Sequence, residues 1–152
     1  MRNRKEERRM LIREVRIEDA EDITLLNKKE MGYDYPYETT KQQIMRLLDS
    51  EKDKLFVAEE DGQIVGYIHA LDYDMTYNDH MKNIVNIAVK ENKQKWIIGK
   101  SLVEEVEKWA KETGASAVRL VSGEHRIATH EFYKLCGYER VKTQVNLMKK
   151  IK

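Results

Sequence analysis

Residues 86–102 read NIAVKENKQKWIIGKSL, and the rest of the chain is organised around this stretch. It predicts a short apolar strand, a polar loop and a helix whose apolar stripe continues through Val106 and Trp109. Backbone N–H groups at a helix N-terminus attract anions, and the glycine at the predicted helix start lets a ligand come close. The stretch is therefore a candidate anion site, although many such units bind nothing.

The composition indicates one globular domain. The chain has 152 residues, of which 41% are apolar and 36% charged, and its net charge is +1. No apolar run approaches the roughly 20 residues that span a bilayer, and the N-terminus lacks the apolar segment of a secretory signal. The single cysteine, Cys136, forms no internal disulfide. These observations predict a cytoplasmic protein that binds no membrane.

The basic charge is concentrated at the N-terminus. Residues 1–9 hold five basic and two acidic side chains, and the remainder of the chain is close to neutral. We expect residues 1–9 to form a flexible charged tail and residues 10–152 to form the single domain. Nothing in the domain resembles a basic groove with interleaved aromatic side chains, so no nucleic-acid partner is predicted.

Hydrophobic periodicity and turn signals predict the element order β-α-α-β-β-β-α-β-α-β, an α+β fold whose mixed central sheet carries helices on both faces. The predicted strands are Met10–Ile17, Leu55–Glu59, Ile64–Leu71, Ile84–Val89, Ala117–Val121 and one or two strands between Tyr138 and Ile151. The predicted helices end at Met31, Ser50, Glu112 and Leu135, and the last two begin at Ile98 and Ile127. Asp61-Gly62 predicts a hairpin turn, and residues 72–82 are expected to form a polar loop.

Two motifs in this order resemble the GNAT superfamily of acetyl-CoA-dependent N-acetyltransferases. In the first, Val89 ends a strand, and Gln94 and Gly99 follow at the spacing of the family's cofactor loop. Ile97 departs from the pattern, because a glycine usually stands there; its side chain either crowds the loop or is aimed away from it. In the second motif, a Phe-Tyr pair at residues 132–133 precedes Gly137 and Tyr138. The resemblance covers about residues 10–149.

The resemblance implies a site for acetyl-CoA. In family members the pantetheine arm pairs like an extra strand with the central strand, and the pyrophosphate meets the loop and the helix start. Carried over to this chain, the cofactor-binding residues are Ile87, Ala88, Val89, Gln94, Lys95, Trp96, Ile97, Ile98, Gly99, Lys100 and Ser101. The acetyl carbonyl would be polarised by a backbone N–H of the central strand.

The resemblance also implies that Tyr133 is the catalytic acid that protonates the departing thiolate; the alternative is a core tyrosine beside Phe132. Many members carry a strand carboxylate that acts as the base, but this chain has only asparagines there. His69, Asp72 and Glu124 remain candidates for the base, as does a water chain. His125 and His130 lack further ligands at a recognisable spacing, so no metal site is predicted.

The acceptor is expected to be a small-molecule or peptide amine bound near the tyrosine-rich residues 33–37, the loop after Leu71 and residues 122–126. The tyrosines either form a wall of that site or pack over the edge of the core. Asp34, Asp72 and Asp74 favour a cationic acceptor. The alternative function is a non-catalytic acyl-CoA-binding or partner-binding domain. Edge strands near the C-terminus make a homodimer reasonable without requiring it.

Overall fold

The computed structural model describes residues 10–152, and the tail predicted over residues 1–9 lies outside them. The described chain forms one mixed sheet of five strands in the order β1-β2-β3-β4-β5, which confirms the predicted fold class. The strands are β1 Met10–Glu14, β2 Asp53–Glu60, β3 Gln63–Met75, β4 Asn78–Val89 and β5 Ala117–Leu120. The helices are α1 Ala20–Met31, α2 Tyr37–Leu48, α3 Lys95–Glu112 and α4 Ile127–Leu135, and a 3₁₀ turn spans Ile17–Asp19.

Strands β1 to β4 are antiparallel neighbours, and β5 runs parallel to β4. The hairpin between β2 and β3 turns at Asp61 and Gly62, whose φ angles are 50° and 81°. Two positive φ angles define the turn that matches the twist of antiparallel strands, and an Asp-Gly pair adopts them with little strain. The hairpin predicted from this dipeptide is therefore present.

Helices cover both faces of the sheet. On one face, apolar residues of α1 and α2 pack on β2 and β3 around Ile23, Ile44 and Val57. On the other face, α3 buries an apolar stripe in which Ile98, Leu102 and Val106 are fully covered. Side chains alternate between the two faces along the regular parts of each strand.

The stretch predicted as a polar loop, residues 72–82, is instead part of a long hairpin. Strand β3 continues to Met75 and β4 begins at Asn78, so only residues 76–77 turn. Polar side chains pair across the hairpin: Asp72 lies directly opposite Lys82 and accepts from its ammonium, and Oδ1 of Asp74 lies 2.8 Å from Nδ1 of His80. Opposite charges placed directly across two strands stabilise the pairing, so this polar sequence forms a ladder.

The strands predicted between Tyr138 and Ile151 are absent. The chain divides into two compact units, one ending at Leu120 and the other spanning Val121–Lys152. Residues 138–152 belong to no helix or strand, and the sheet ends at β5. An alternating pattern becomes a strand only when a partner strand satisfies its backbone groups, and residues 138–152 have none within the described chain. The single domain over residues 10–152 stays a prediction.

Within residues 10–152, no helix is both long and apolar enough to cross a membrane. The same residues contain no group of three or more His, Cys, Asp or Glu side chains placed to hold a metal ion.

Candidate functional site

The central strand β4 is paired on both sides over only part of its length. Its pairing with β3 continues to Val89, whereas its pairing with β5 ends where Ile84 lies opposite Leu120. Within residues 10–152, β4 has a neighbouring strand on one side over residues 85–89 and none on the other. Backbone N–H and C=O groups along that open edge are available to an extended, amide-bearing ligand.

A β-bulge marks the point where the edge opens. Ala70 pairs with Ile84 and His69 pairs with Asn86, so Val85 is the extra residue on β4. Such an insertion exchanges the two faces of a strand. Before the bulge, Lys82 points to the face of α3, where its ammonium lies over the ring of Trp109. After it, Asn86 points to the opposite face and bonds Tyr67.

The loop after β4 leads directly into α3. The N–H of Gln94 donates to the side-chain Oδ1 of Asn92 over 2.7 Å, and the N–H of Lys95 donates to the carbonyl oxygen of Asn92. This local turn starts α3 at Lys95, earlier than the predicted start at Ile98, and it occupies the N–H of Gln94. The first turn of α3 contains no acidic side chain. The positive end of the helix dipole therefore has no carboxylate in its own turn, and the carboxylate of Glu91, which precedes the helix, accepts from the Lys95 ammonium over 2.8 Å.

The residues that are predicted to contact the pyrophosphate differ in exposure along the first turns of α3. Ile97 is 62% exposed, so the side chain that replaces the usual glycine is directed away from the core. Ile98 and Gly99 are buried instead. Lys100 is exposed, and the hydroxyl of Ser101 donates to the carbonyl oxygen of Ile97 over 3.0 Å. Ile87, Ala88 and Val89 form the end of the open edge, and Trp96 is half exposed in the first turn of α3.

Gly66 on β3 lets α3 approach the sheet beside the open edge. A Cβ at Gly66 would lie 3.2 Å from both the Ala88 carbonyl oxygen and Leu102 Cδ1. A larger residue would push α3 and the end of β4 apart. A glycine inside an otherwise apolar strand is the sequence signal that could have revealed this close approach.

Polar side chains line a cavity on the face of α1 and α2. The Tyr67 hydroxyl donates to Asn27 and accepts from the Asn86 amide, and burial raises the pKa of Tyr67 to about 12. Beside it, Nε2 of His69 lies 2.7 Å from Oδ1 of Asp53. The cavity has a volume of about 150 Å³ and is lined on its other sides mainly by α1 and α2. No sequence motif predicts the His69–Asp53 pair, because the two residues are brought together only by the register of β2 against β3.

A larger, more open depression of about 400 Å³ lies at the opposite end of the β2–β3 hairpin. Glu60, Asp61 and Glu91 line it together with a single basic side chain, Lys90. Its negative charge makes it unsuited to a polyanionic ligand.

In the second unit, Tyr133 is held by the cap that ends α4. The N–H of Tyr138 donates to the Tyr133 carbonyl oxygen over 2.9 Å, and the N–H of Gly137 donates to that of Lys134 over 3.0 Å. Gly137 has φ 93°, and the two bonds form a Schellman motif. The Tyr138 ring contacts the Tyr133 ring edge-on, with centroids 5.4 Å apart. The spacing of the Phe-Tyr and Gly-Tyr pairs is thus the spacing of a helix cap.

Tyr133 is itself almost fully buried, and burial raises its pKa above the ordinary value, with a smaller contribution from Cys136. The phenol is therefore neutral at pH 7, where it can donate a proton but cannot act as a base.

The fold is shared with solved N-acetyltransferases. An aminoglycoside N-acetyltransferase AAC(6')-Iy, solved in complex with CoA, superposes with TM-score 0.82 at 17% identity, covering 95% of this chain and 97% of its own. The aminoglycoside 6'-N-acetyltransferase AAC(6')-Ih from Acinetobacter baumannii gives 0.82 at 18% identity, covering 95% and 100%. A transcriptional regulator from Bacillus halodurans C-125 gives 0.82 at 18%, covering 93% and 100%.

The model described as the acetyltransferase (GNAT) family matches residues 17–138, and the chain belongs to this family, as the two sequence motifs indicated. No curated protein sequence matches the chain.

Proposed function

We propose that this protein is an N-acetyltransferase that passes the acetyl group of acetyl-CoA directly to a primary amine in a ternary complex. The observation that carries the proposal is the open edge of β4 at residues 85–89, which leads through a short loop into a helix start without acidic side chains. The pantetheine amides would pair with the edge at Ile87, Ala88 and Val89, and the pyrophosphate would lie at the start of α3. The Gln94 N–H already donates to the Asn92 side chain, so it is not free to donate to the pyrophosphate.

The reaction requires three groups from the protein: a donor to the carbonyl oxygen, an acid and a base. The amine nitrogen attacks the thioester carbonyl carbon, whose oxygen is stabilised by a backbone N–H of the open edge. The carbon–sulfur bond breaks as the amide forms, and the neutral Tyr133 phenol supplies the proton that turns the departing thiolate into the thiol. The amine gives up a proton, which a base in the protein accepts.

Among the three candidates for that base, His69 has the most suitable surroundings. Asp72 is bonded to the buried ammonium of Lys82, which it must neutralise, and Glu124 is exposed in the second unit. His69 lies opposite Asn86, next to the bulge, and lines the cavity on the α1 and α2 face. With the Nε2 proton directed to Asp53, Nδ1 carries the lone pair that accepts a proton.

The three carboxylates expected to favour a cationic acceptor all have cationic or histidine partners: Asp72 with Lys82, Asp74 with His80, and Asp34 with Lys28 at 3.8 Å. The aminoglycoside enzymes share only the fold at this level of identity. Tyr35 lines the cavity, and we propose this cavity as the entrance for the amine.

Two measurements test the proposal. Acetyl-CoA and CoA should raise the melting temperature and bind in calorimetry, and free thiol should appear when the protein is given acetyl-CoA and a panel of amines that includes aminoglycosides, polyamines, amino acids and peptides. Absence of stabilisation by either nucleotide would contradict both catalysis and acyl-CoA binding. Binding without thiol release across the panel would favour a non-catalytic acyl-CoA-binding domain, the alternative that the missing strand carboxylate motivates.

Two substitutions separate the proposed roles. Tyr133→Phe should lower turnover about 10²- to 10⁴-fold with little change in acetyl-CoA affinity, and an equal loss of both would make Tyr133 a structural residue. His69→Gln should lower turnover with alkylamines, which need deprotonation, much more than with aromatic amines, which are neutral at pH 7. An equal loss with both amine types would remove His69 as the base.

A further inference from the structure

Strand β5 carries an arginine that no carboxylate of residues 10–120 neutralises. Arg119 is the third residue of the strand, and its side chain is partly buried. Its guanidinium carbon lies 4.4 Å from the centroid of the Tyr73 ring, and Nη1 donates to Oδ1 of Asn83 over 2.5 Å. Both partners are neutral, so the positive charge has no counter-charge in this part of the chain.

The other lysine and arginine side chains of the five strands are each hydrogen-bonded to a carboxylate. Arg13 is paired with Asp19, Lys54 with Glu14, and Lys82 with Asp72. A partly buried cation without a partner is unfavourable, because burial removes part of its hydration. Arg119 therefore differs from every other Lys and Arg on the strands, and an unpaired guanidinium of this kind is typical of an anion-binding position.

Arg119 lies on the face of the sheet that holds the cavity. Its partner across the strand pair is Asn83, which directly follows Lys82 on β4. Because the Lys82 ammonium lies over Trp109 on the α3 face, Asn83 is on the opposite face, which α1 and α2 cover. Tyr73, on which the guanidinium stacks, lies four residues after His69 on β3 and shares its face. The guanidinium and the candidate base therefore project from the same side of the sheet.

The carboxylates of the β3–β4 hairpin lie on the other face. Asp72 accepts from the Lys82 ammonium, which is on the α3 face. Asp74 bonds His80, whose Nε2 lies 3.0 Å from that same ammonium. An acceptor that is bound across the cavity face therefore meets the unpaired charge of Arg119, and the hairpin carboxylates are engaged elsewhere.

The distance between the candidate base and the guanidinium sets the length of such an acceptor. His69 lies opposite Asn86 and Arg119 lies opposite Asn83, on the two sides of β4. Neighbouring strands are about 4.8 Å apart and a strand residue spans about 3.3 Å, so the two Cα positions are roughly 12 Å apart. The amine and the carboxylate of one amino acid are only about 3 Å apart, whereas those of an extended tripeptide are roughly 10 Å apart.

We propose that Arg119 binds a carboxylate of the acceptor, and that the acceptor is an amine whose reacting nitrogen lies roughly 10 Å from that carboxylate, as in a tripeptide. A planar guanidinium donates two parallel N–H bonds to one carboxylate, and stacking on Tyr73 fixes its plane before binding. The inference rests on the proposed acetyl transfer, because His69 places the amine end. An aminoglycoside carries several ammonium groups and no carboxylate, so Arg119 disfavours it.

Two peptides of the same shape test this inference on the unmodified protein. Trialanine has a free carboxylate, and trialanine amide lacks that charge. With acetyl-CoA as the donor, kcat/KM for thiol release should be at least about tenfold higher for trialanine, with the difference in KM. The same comparison between dialanine and dialanine amide should give a smaller ratio, because dialanine is too short to reach from the base to Arg119.

Substitutions assign the preference to Arg119. Arg119→Gln should raise KM for trialanine about 10- to 100-fold and leave kcat and the KM for the amide nearly unchanged. Arg119→Lys keeps the charge without the planar fork and should restore part of the loss. The matched control, Lys108→Gln, removes the same charge from an exposed position on α3, on the opposite face, and should leave both KM values unchanged. Circular dichroism and the melting temperature verify that each variant is folded.

Calorimetric titration with trialanine and with its amide, with and without CoA, makes the same comparison without turnover. Tighter binding of trialanine that Arg119→Gln abolishes supports the inference, and it does so even if no thiol is released, a result that would contradict only the proposed acetyl transfer. Failure of trialanine to bind, equal affinity for the two peptides, or equal losses in Arg119→Gln and Lys108→Gln would each overturn the inference. Thiol release at equal rates from the two peptides would overturn it and leave the proposed acetyl transfer intact.

Discussion

The two halves of β4 differ in what lies beside them. Residues 81–84 have β3 on one side and β5 on the other, and the buried ammonium of Lys82 is held there by Asp72, His80 and the ring of Trp109. Residues 85–89 have β3 alone, and their polar anchor is a neutral one, the bond from Asn86 to Tyr67. One strand thus contains a closed half that fixes the sheet and an open half that presents its backbone.

The difference follows from one inserted residue and one short strand. The bulge at Val85 exchanges the faces of β4, so that Lys82 and Asn86 point to opposite sides of the sheet although their positions share the same parity. Strand β5 ends at Leu120, before the bulge is reached. The backbone groups of β4 are therefore free to bind a ligand only beyond the point where its pairing with β5 stops. The paired half of β4, residues 81–84, stabilises the strand that carries this open edge.

Removing the anchor of the closed half should have the largest effect. Asp72→Ala leaves the Lys82 ammonium buried without its carboxylate, and breaking a buried ion pair from one side costs about 3–5 kcal/mol. We expect about 3 kcal/mol from urea unfolding, the low end, since Asp72 is itself partly exposed. Lys82→Met, which removes the buried charge and keeps the volume, should cost less.

Asp74→Ala is the matched control for that experiment. Asp74 is also on β3 and also pairs with His80, but its side chain is mostly exposed, so its loss should stay within about 0.5 kcal/mol. Equal effects of Asp72→Ala and Asp74→Ala would show that the closed half does not depend on the buried pair.

The same contrast explains how far the sequence could predict this molecule. The strand-loop-helix at residues 86–102 and the glycine after α4 carry local signals, an apolar run, a stripe with period 3.6 and a cap residue, and the elements they predict are present. The bulge at Val85 and the burial of Lys82 have no local signal, because each depends on the register of β3 against β4. The predictions for residues 72–82 and for residues 138–151 were wrong for the same reason. Whether a polar or an alternating sequence forms a strand depends on the partner strand.

Alkaline pH should act on the open half through Tyr67. Its pKa is raised to about 12 in the folded chain and is about 10 when the chain is unfolded. The unfolded state therefore loses its proton first as the pH rises. The stabilisation is complete below pH 10 and is lost between about pH 10 and 12, by roughly 2.7 kcal/mol for two pKa units.

Urea unfolding at pH 9 and at pH 11.5 measures most of this loss, because pH 11.5 lies just below the folded pKa. In Tyr67→Phe the difference between the two pH values should be smaller than in the wild type by about 2 kcal/mol. Tyr77→Phe, which alters an exposed tyrosine in the turn between β3 and β4, should lose as much stability as the wild type. If Tyr67→Phe lost the same amount as Tyr77→Phe, Tyr67 would not be linked to folding.

The smallest expected effect addresses the ligand side of the open half. Ile97→Asp introduces a carboxylate into the exposed first turn of α3, where it complements the helix dipole and should leave stability unchanged or slightly raised. The same charge repels a pyrophosphate at this helix start, so the dissociation constant for acetyl-CoA should rise roughly tenfold, about 1.4 kcal/mol. The Ile97→Asn variant has nearly the same side-chain shape as the Ile97→Asp variant but no charge. It should bind acetyl-CoA almost as tightly as the wild type does. If calorimetry gave equal affinities for the Asp and Asn variants, the pyrophosphate would lie elsewhere, and the open edge would bind acetyl-CoA without the helix that follows it.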